Sequence, residues 1–308
     1  MSALKTTIRR ELIENRISAI WLPIGIGITI ILLMIGALIW HGNFVSGTSG
    51  ELQIISGLDP EVGSPVKKQV ATALMAALSL PFFIPLSFVV VFYLAHALFD
   101  ERKDRSILFW KSLPISDRLT VGSKILMAVA VIPFIYWCAL LATQILTILI
   151  LALAGVTLGQ DLIPVLFQPA VMASHALSAL VAVLLHGLWL LPLYAWLLFC
   201  SSWAPRSPLM VAIAVMALLS LMVNLWNTFQ SMNFAGFQPL SWVIQRANES
   251  PLPLSFQLSL DPGERIAGEV AQLSELLGYL VSPSMWLGIL IALPLLLGAL
   301  YMRTRATA

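Results

Sequence analysis

The chain has 308 residues, of which 59% are hydrophobic and only 10% are charged. Water-soluble domains carry charge on about a quarter of their residues, so this composition excludes an ordinary soluble enzyme or binding domain. A mean hydropathy of +0.92 indicates several membrane-spanning segments. The net charge of +2 is too small to favour a nucleic-acid partner.

Six apolar segments are each long enough to cross a hydrocarbon core of about 30 Å at about 1.5 Å per helical residue. They cover residues 17–40, 70–98, 124–153, 171–200, 208–229 and 284–301. We therefore predict an all-α polytopic membrane protein with six transmembrane helices in a single domain, 1–308. Prolines inside these segments, among them Pro23, Pro133 and Pro192, predict bends in the helices.

The basic residues indicate how the chain is oriented. Thirteen of the 17 lie in the leader, in the 99–123 loop with Lys124 directly after it, in the 201–207 turn and in the 302–308 tail. Cytoplasmic segments are enriched in Lys and Arg, so both termini are predicted to be cytoplasmic. The leader also contains Glu11 and Glu14, and the apolar run after it is too long for a signal peptide, so we expect it to remain as the first span.

The leader, residues 1–16, has the pattern of an amphipathic helix. Leu4, Ile8, Leu12 and Ile13 share one face and basic residues surround them, which predicts an interfacial elbow helix. A solvated charged tail is the alternative.

On the outer side, the 230–283 loop is too long to lack structure of its own. Its latter part, from Asp261 to Leu280, has a cap residue, a proline in the first turn and apolar residues at helical spacing. We predict a short amphipathic helix at the outer membrane surface.

The charge-dense loop 99–123 carries the clearest functional signal. Ser106 can cap a short helix whose residues Ile107, Leu108, Trp110 and Leu113 leave an apolar surface on the cytoplasmic side. Such a helix suits docking into a groove of a soluble partner. A juxtamembrane helix lying on lipid headgroups is the alternative.

The residues of this loop resemble the intracellular signature of type 2 ATP-binding-cassette (ABC) exporter permeases. The resemblance rests on Glu101-Arg102, Arg105-Ser106-Ile107-Leu108, Trp110-Lys111-Ser112-Leu113-Pro114-Ile115-Ser116 and Lys124. In the leader, Arg10-Glu11-Leu12 and Glu14-Asn15-Arg16 are similar to the elbow helix of that family.

The resemblance implies a multi-pass permease of the cell inner membrane whose coupling helix, about 105–114, docks into an ABC ATPase subunit. The implied interface residues are Glu101, Arg102, Arg105, Ser106, Leu108, Phe109, Trp110, Lys111, Leu113 and Pro114. A second permease copy or a paralogue would complete the transporter. The chain would bind no cofactor itself, since ATP and Mg²⁺ would be held by the partner ATPase.

Other functional classes find less support in the sequence. The chain has no G-x-x-x-x-G-K-[ST] phosphate loop and no HExxH pair, so we predict neither an ATPase nor an intramembrane hydrolase. Cys138 and Cys200 lie in apolar runs without CxxC spacing, which favours core residues over a metal site. An ABC-linked membrane assembly factor and a gradient-driven secondary transporter remain as alternatives.

A few polar residues fall within or near the spans. A possible translocation seam comprises Gln144, His175, His186, Asn224 and Asn227. His175 and His186 are close to three helical turns apart and share a face, too far from one another to hold one metal ion. Hydrogen bonding between neighbouring helices is the alternative role for all five.

Overall fold

The computed structural model describes residues 3–40, 60–105, 116–157, 162–230, 238–252 and 273–305. All regular structure within these ranges is helical. Six helices in them are long and apolar enough to cross a membrane, which confirms the six predicted spans and a multi-pass, all-α protein.

The first three spans are formed by α2, α3 and the pair α5–α6. The bounds are α1 Ala3–Glu14, α2 Leu22–Trp40, α3 Pro60–Ala97, α4 Phe99–Lys103, α5 Asp117–Leu126 and α6 Ile132–Thr157. Single π-helical turns, Ile17–Trp21 and Met127–Val131, lead into α2 and α6. Each π turn stands just before a proline, Pro23 or Pro133, whose missing N–H interrupts the regular ladder of hydrogen bonds.

The second half contains the remaining three spans and two short helices between the fifth and the sixth. The bounds are α7 Ile163–Leu166, α8 Pro169–Trp189, α9 Leu191–Trp203, α10 Pro208–Gln230, α11 Pro239–Asn248, α12 Leu273–Val281 and α13 Pro283–Arg305. The fourth span is broken at Leu190, where α8 ends and α9 begins with Pro192 in its first turn. This break realises the bend that Pro192 predicts.

The core lies where α3, α6, α8 and α9 meet, with Phe82, Tyr136, Ala182 and Leu198 almost inaccessible to solvent. Gly187 of α8 lies against the π turn before α6. A Cβ at Gly187 would stand 3.0 Å from the carbonyl oxygen of Val129, closer than nearly all such contacts, so glycine favours this close approach.

The leader forms the predicted helix, α1, but its buried face differs from the expected apolar stripe. Thr7 and Glu11 are buried, whereas Leu4 and Ile13 are exposed. The physical reason is electrostatic, because Glu11 points into the bundle toward a buried lysine.

The described ends of the chain lie together. Arg10 of α1 and Arg303 near the end of α13 both contact Glu101, at what we call the Glu101 end of the bundle. Such proximity is what an even number of spans requires.

The connection between α10 and α13 contains a helix that the sequence did not predict. The backbone N–H of Leu240, in the first turn of α11, donates to Oγ of Ser220 at 3.0 Å, and Ser220 lies in the middle of α10. The helix α11 therefore folds back alongside the bundle. Of the predicted 261–280 helix, the structure shows α12, and residues 261–272 lie outside the described ranges.

Candidate functional site

Six charged side chains meet at the Glu101 end and join four helices; we call them the ion-pair cluster. Its members are Arg10 and Glu11 of α1, Glu101 of α4, Asp117 and Lys124 of α5, and Arg303 of α13. Three are acidic and three are basic. The cluster is thus formally neutral.

Glu101 is the centre of this cluster. Its Oε1 lies 2.9 Å from Nη2 of Arg10 and 3.0 Å from Nζ of Lys124. Its Oε2 accepts a hydrogen bond from Nη1 of Arg303. One carboxylate therefore holds together the leader helix, the start of the third span and the end of the sixth.

Glu11 completes the surroundings of Lys124. Its Oε1 accepts from Nζ of Lys124 at 2.9 Å, and its Oε2 accepts from the hydroxyl of Tyr93 at 2.9 Å. Lys124 thus stands between two carboxylates, and both oxygens of Glu11 are satisfied. These bonds fix α1 against α3 and α5.

The sixth member, Asp117, begins α5. Its Oδ1 accepts from Nε of Arg303 at 2.9 Å. Ser116, just before it, caps the helix, since its Oγ accepts from the backbone N–H of Leu119 at 3.3 Å. Arg303 therefore bridges Asp117 and Glu101, two carboxylates that lie on opposite sides of residues 106–115 in the sequence.

Burial makes these contacts interdependent. Glu11, Lys124, Arg303 and Glu101 are 1%, 2%, 3% and 7% exposed. Removing one partner of a buried ion pair leaves the other charge uncompensated, which costs about 3–5 kcal/mol. Arg10 is half-buried, at the edge of the cluster. Burial alone would lower the pKa of Arg10, but the carboxylates of Glu11, Glu14 and Glu101 raise it above its ordinary value.

Arg102 makes a second link at the same end. Its Nη2 donates to the carbonyl oxygens of Ser201 and Ala204 at 2.9 and 2.8 Å, at the end of α9. In return, Oγ of Ser201 accepts from the backbone N–H groups of Leu98 and Phe99, each at 3.0 Å. The fourth span is thereby attached to the exit of the second.

The predicted coupling residues fall into two groups. Glu101 and Arg102 point into the bundle, and Arg105 is exposed with a φ of 56°, a left-handed conformation that ends the turn after α4. The others lie in 106–115, outside the described residues: Ser106, Leu108, Phe109, Trp110, Lys111, Leu113 and Pro114. The sequence singled out Glu101, and it named Arg10 and Lys124 as part of the family resemblance. It did not predict that these two residues and Arg303 pair with Glu101, from which they are 91, 23 and 202 positions away along the chain.

Two of the predicted seam residues come together in the bundle. Nε2 of His175 lies 3.1 Å from Oγ of Ser79, and Nε2 of Gln144 donates to the carbonyl of Met75 at 3.1 Å. All three polar side chains are buried. They connect α8 and α6 to α3, the geometry of interhelical hydrogen bonding rather than of an open polar channel.

The other three seam residues lie elsewhere. Nδ1 of His186 is hydrogen-bonded to Oγ of Ser250, just beyond α11. Asn224 is exposed and accepts from Nε2 of Gln238 at 3.0 Å, and Asn227 is half-buried one turn further along α10. The five residues therefore do not line one continuous seam.

Arg246 of α11 forms a site that sequence reasoning missed. Its Nε donates to the carbonyl of Trp189 at 2.8 Å and its Nη1 to the carbonyl of Ser284 at 3.1 Å. The guanidinium carbon lies 4.4 Å from the centroid of the Trp189 ring and 5.3 Å from that of Trp242. We call this arrangement the Arg246 clasp; it depends on the break after Trp189, which frees that carbonyl.

A Cβ at Gly288 would stand 2.1 Å from Nη2 of Arg246, so the side chain fills the space left by a glycine of α13. Trp189 returns the contact, because its Nε1 donates to the carbonyl of Arg246 at 2.7 Å. The clasp thereby holds α11 against the fourth and sixth spans.

Within the described ranges, no three His, Cys, Asp or Glu side chains group so as to hold a metal ion. No known family model matches the chain, and no curated protein or solved structure matches it.

Proposed function

We propose that this chain is the membrane-spanning permease subunit of an ABC exporter of the type 2 class. In this proposal a separate ATPase subunit binds ATP and Mg²⁺, and a second permease copy or a paralogue completes the translocation path. Six apolar helices support the proposal at the level of architecture. The protein would reside in the cell inner membrane, with the Glu101 end in the cytoplasm and α1 as the elbow helix.

The observation that carries the proposal is the position of the ion-pair cluster relative to residues 106–115. Glu101 precedes that segment and Asp117 follows it, and Arg303 holds both carboxylates. Lys124 and Arg10 then connect Glu101 to the third span and to the leader. A force applied to the 106–115 segment would therefore reach three spans and α1 through charged, buried contacts.

Buried ion pairs have discrete geometries and resist gradual deformation, so they suit transmission of a movement as a rigid unit. We propose that closure of the ATPase displaces the coupling segment and that the cluster passes this displacement to the second, third and sixth spans. The link between Arg102 and Ser201 adds the fourth span.

The test is affinity purification of the full chain in a mild detergent from its native membranes. The unmodified chain should retain a stoichiometric ATPase partner that hydrolyses ATP. Trp110→Asp and Leu113→Asp should each lose that partner while still inserting into the membrane, because an apolar docking face cannot accept a buried charge.

Leu4→Asp is the control, since it places the same charge on an exposed apolar side chain of α1 and should keep the partner. An unmodified chain that purifies without any ATPase, or docking variants that keep it, would refute the assignment. Purification without any ATPase would instead favour a gradient-driven transporter or an accessory membrane protein.

A further inference from the structure

A groove of about 660 Å³ lies between the leader and the second span, next to the ion-pair cluster. One wall comes from α1, the π turn that follows it and Leu22, and the other comes from α3 and α4. This volume lies within the range for small-molecule pockets, roughly 300–1,000 Å³. The groove has room for a molecule with one alkyl chain or a small aromatic body.

The second span presents one continuous face to the groove. The residues of this face come in pairs along the chain, at 84–85, 88–89, 92–93, 96–97 and 100–101. Residues four apart lie above one another on a helix, and these pairs extend over about 24 Å at about 1.5 Å per residue. The first two pairs are apolar and the last is acidic, so the groove is amphipathic along its length.

The apolar end of the groove has uncovered aromatic rings. Phe88 and Phe92 are 61% and 51% exposed, and Leu22 on the opposite wall is 39% exposed. An apolar chain seated here would cover surface that the described residues leave open. This end by itself accepts any alkyl or aromatic group, so the polar end decides what binds.

The polar end offers hydrogen-bond acceptors that remain accessible. Glu14 pairs with Arg10 through Oε1 alone, and its side chain is 48% exposed. Asp100 is exposed, and no described side chain pairs with it. Nδ1 of His96 lies 3.0 Å from the carbonyl oxygen of Phe92, which can only accept, so Nδ1 carries the proton and Nε2 of the neutral ring is an acceptor.

The donors that line the groove are already directed at acceptors of the chain. The Tyr93 hydroxyl donates to Glu11, and Nζ of Lys124 donates to Glu11 at 2.9 Å and lies 3.0 Å from Glu101. Oγ of Ser18 donates to the carbonyl of residue 15 at 3.2 Å. A ligand therefore meets carboxylates and a ring nitrogen that need a donor.

Charge complementarity selects the class of ligand. An anion would be repelled by the two accessible carboxylates, and a neutral hydroxyl would gain little from their charge. A primary ammonium supplies three donors and a positive charge, which also favours contact with an aromatic face such as that of Phe92.

We propose that the groove binds a small amphiphile with a primary ammonium head. The head lies between Glu14 and Asp100, and the apolar part lies along Phe92 and Phe88. That this amphiphile is the exported molecule rests on the proposed function; its binding does not.

The test is photolabelling of the purified full chain, in an uncharged detergent, with dodecylamine that carries a diazirine on its alkyl chain. Mass spectrometry should place the label on peptides that contain Leu22 or residues 84–92. The double variant Glu14→Gln, Asp100→Asn should weaken labelling about 10-fold or more, the effect of losing charge-assisted contacts. Both carboxylates are accessible to solvent, so the double variant should remain folded.

Two controls fix the interpretation. Asp104→Asn removes an exposed carboxylate just beyond α4 that does not line the groove, and it should leave labelling unchanged. The matching dodecanol diazirine, which lacks the positive charge, should label the unmodified chain about as weakly as the amine labels the double variant.

Equal labelling by amine and alcohol, or labelling that the double variant does not weaken, would overturn the proposal. Displacement of the amine by a photoactivatable phosphatidylethanolamine that labels the same peptides would overturn it too, by identifying ordinary bilayer lipid. None of these measurements involves an ATPase, so failure here is distinguishable from failure of the proposed exporter function.

Discussion

The protein buries charge in two different ways. In the ion-pair cluster, six charges of opposite sign satisfy one another. In the Arg246 clasp, one cation is held by two backbone carbonyls and two tryptophan rings, with no carboxylate of the described chain at ion-pair distance. The cluster needs complementary side chains, whereas the clasp needs a carbonyl freed by a broken helix.

A network of paired side chains links several helices at once, so displacing any one of them disturbs the others. The Arg246 guanidinium instead holds one short helix, α11, in place. It does so through separate hydrogen bonds to two backbone carbonyls that are not linked to one another. We expect the cluster to transmit movement and the clasp to keep α11 in place against the fourth and sixth spans.

The largest effect is expected for Glu101→Gln. An amide at this position leaves Lys124 and Arg303 without their shared counter-charge, so the free energy of unfolding should fall by about 3–5 kcal/mol. The measurement is denaturant unfolding in mixed micelles, followed by labelling of the buried Cys200 thiol in a Cys138→Ser background.

Asp100→Asn is the matched control, since Asp100 is an exposed carboxylate in the same short helix. Its effect should stay within about 0.5 kcal/mol. A similar loss for both variants would show that Glu101 acts through helix α4 alone and not through the cluster.

The Arg246 clasp predicts that substitutions at Gly288 and at Arg246 affect one another's cost in stability. Gly288→Ala places a methyl group against Nη2 of Arg246 and should cost about 1–3 kcal/mol through overpacking. In an Arg246→Ala background the same change should cost little, which gives a coupling energy of about 1 kcal/mol or more. A double-mutant cycle with the same unfolding assay measures it.

Gly25→Ala serves as the control, because a Cβ at Gly25 would meet nothing within 4 Å. Additive effects of Gly288→Ala and Arg246→Ala would contradict the packing of the clasp and reduce it to a loose surface contact.

Hydropathy was sufficient to predict the six spans, since each is a long apolar run. It could not predict α11, which has only 10 residues and includes Gln245 and Arg246. The positive-inside count treated Arg246 as an outer-loop residue, yet the structure buries it beside Trp189. Nothing in the local sequence shows that a helix break elsewhere offers it a carbonyl.

For a related reason, only some members of the ion-pair cluster could be recognised from the sequence. In the sequence, Glu101 and Lys124 were noticeable because they lie at the two ends of a charged loop, and Glu11 because it lies in the leader. Their pairing is a tertiary property, and Arg303 belongs to a tail that counted only toward topology. The π turns before Pro23 and Pro133 likewise follow from missing N–H groups, but proline alone predicts a bend and not its type.

The smallest expected effect comes from the exposed edge of the cluster. Arg10 also pairs with Glu14 through Nε at 2.9 Å, and the Glu14 side chain is 48% exposed. Water screens this i,i+4 pair, so Glu14→Gln should lower the free energy of unfolding by no more than about 0.5 kcal/mol. About 1 M salt should erase even that difference while leaving the loss caused by Glu101→Gln almost unchanged, since screening acts weakly on buried pairs. If salt reduced both losses equally, Glu101 would be as accessible to solvent as Glu14, and the distinction between a buried cluster and its exposed edge would fail.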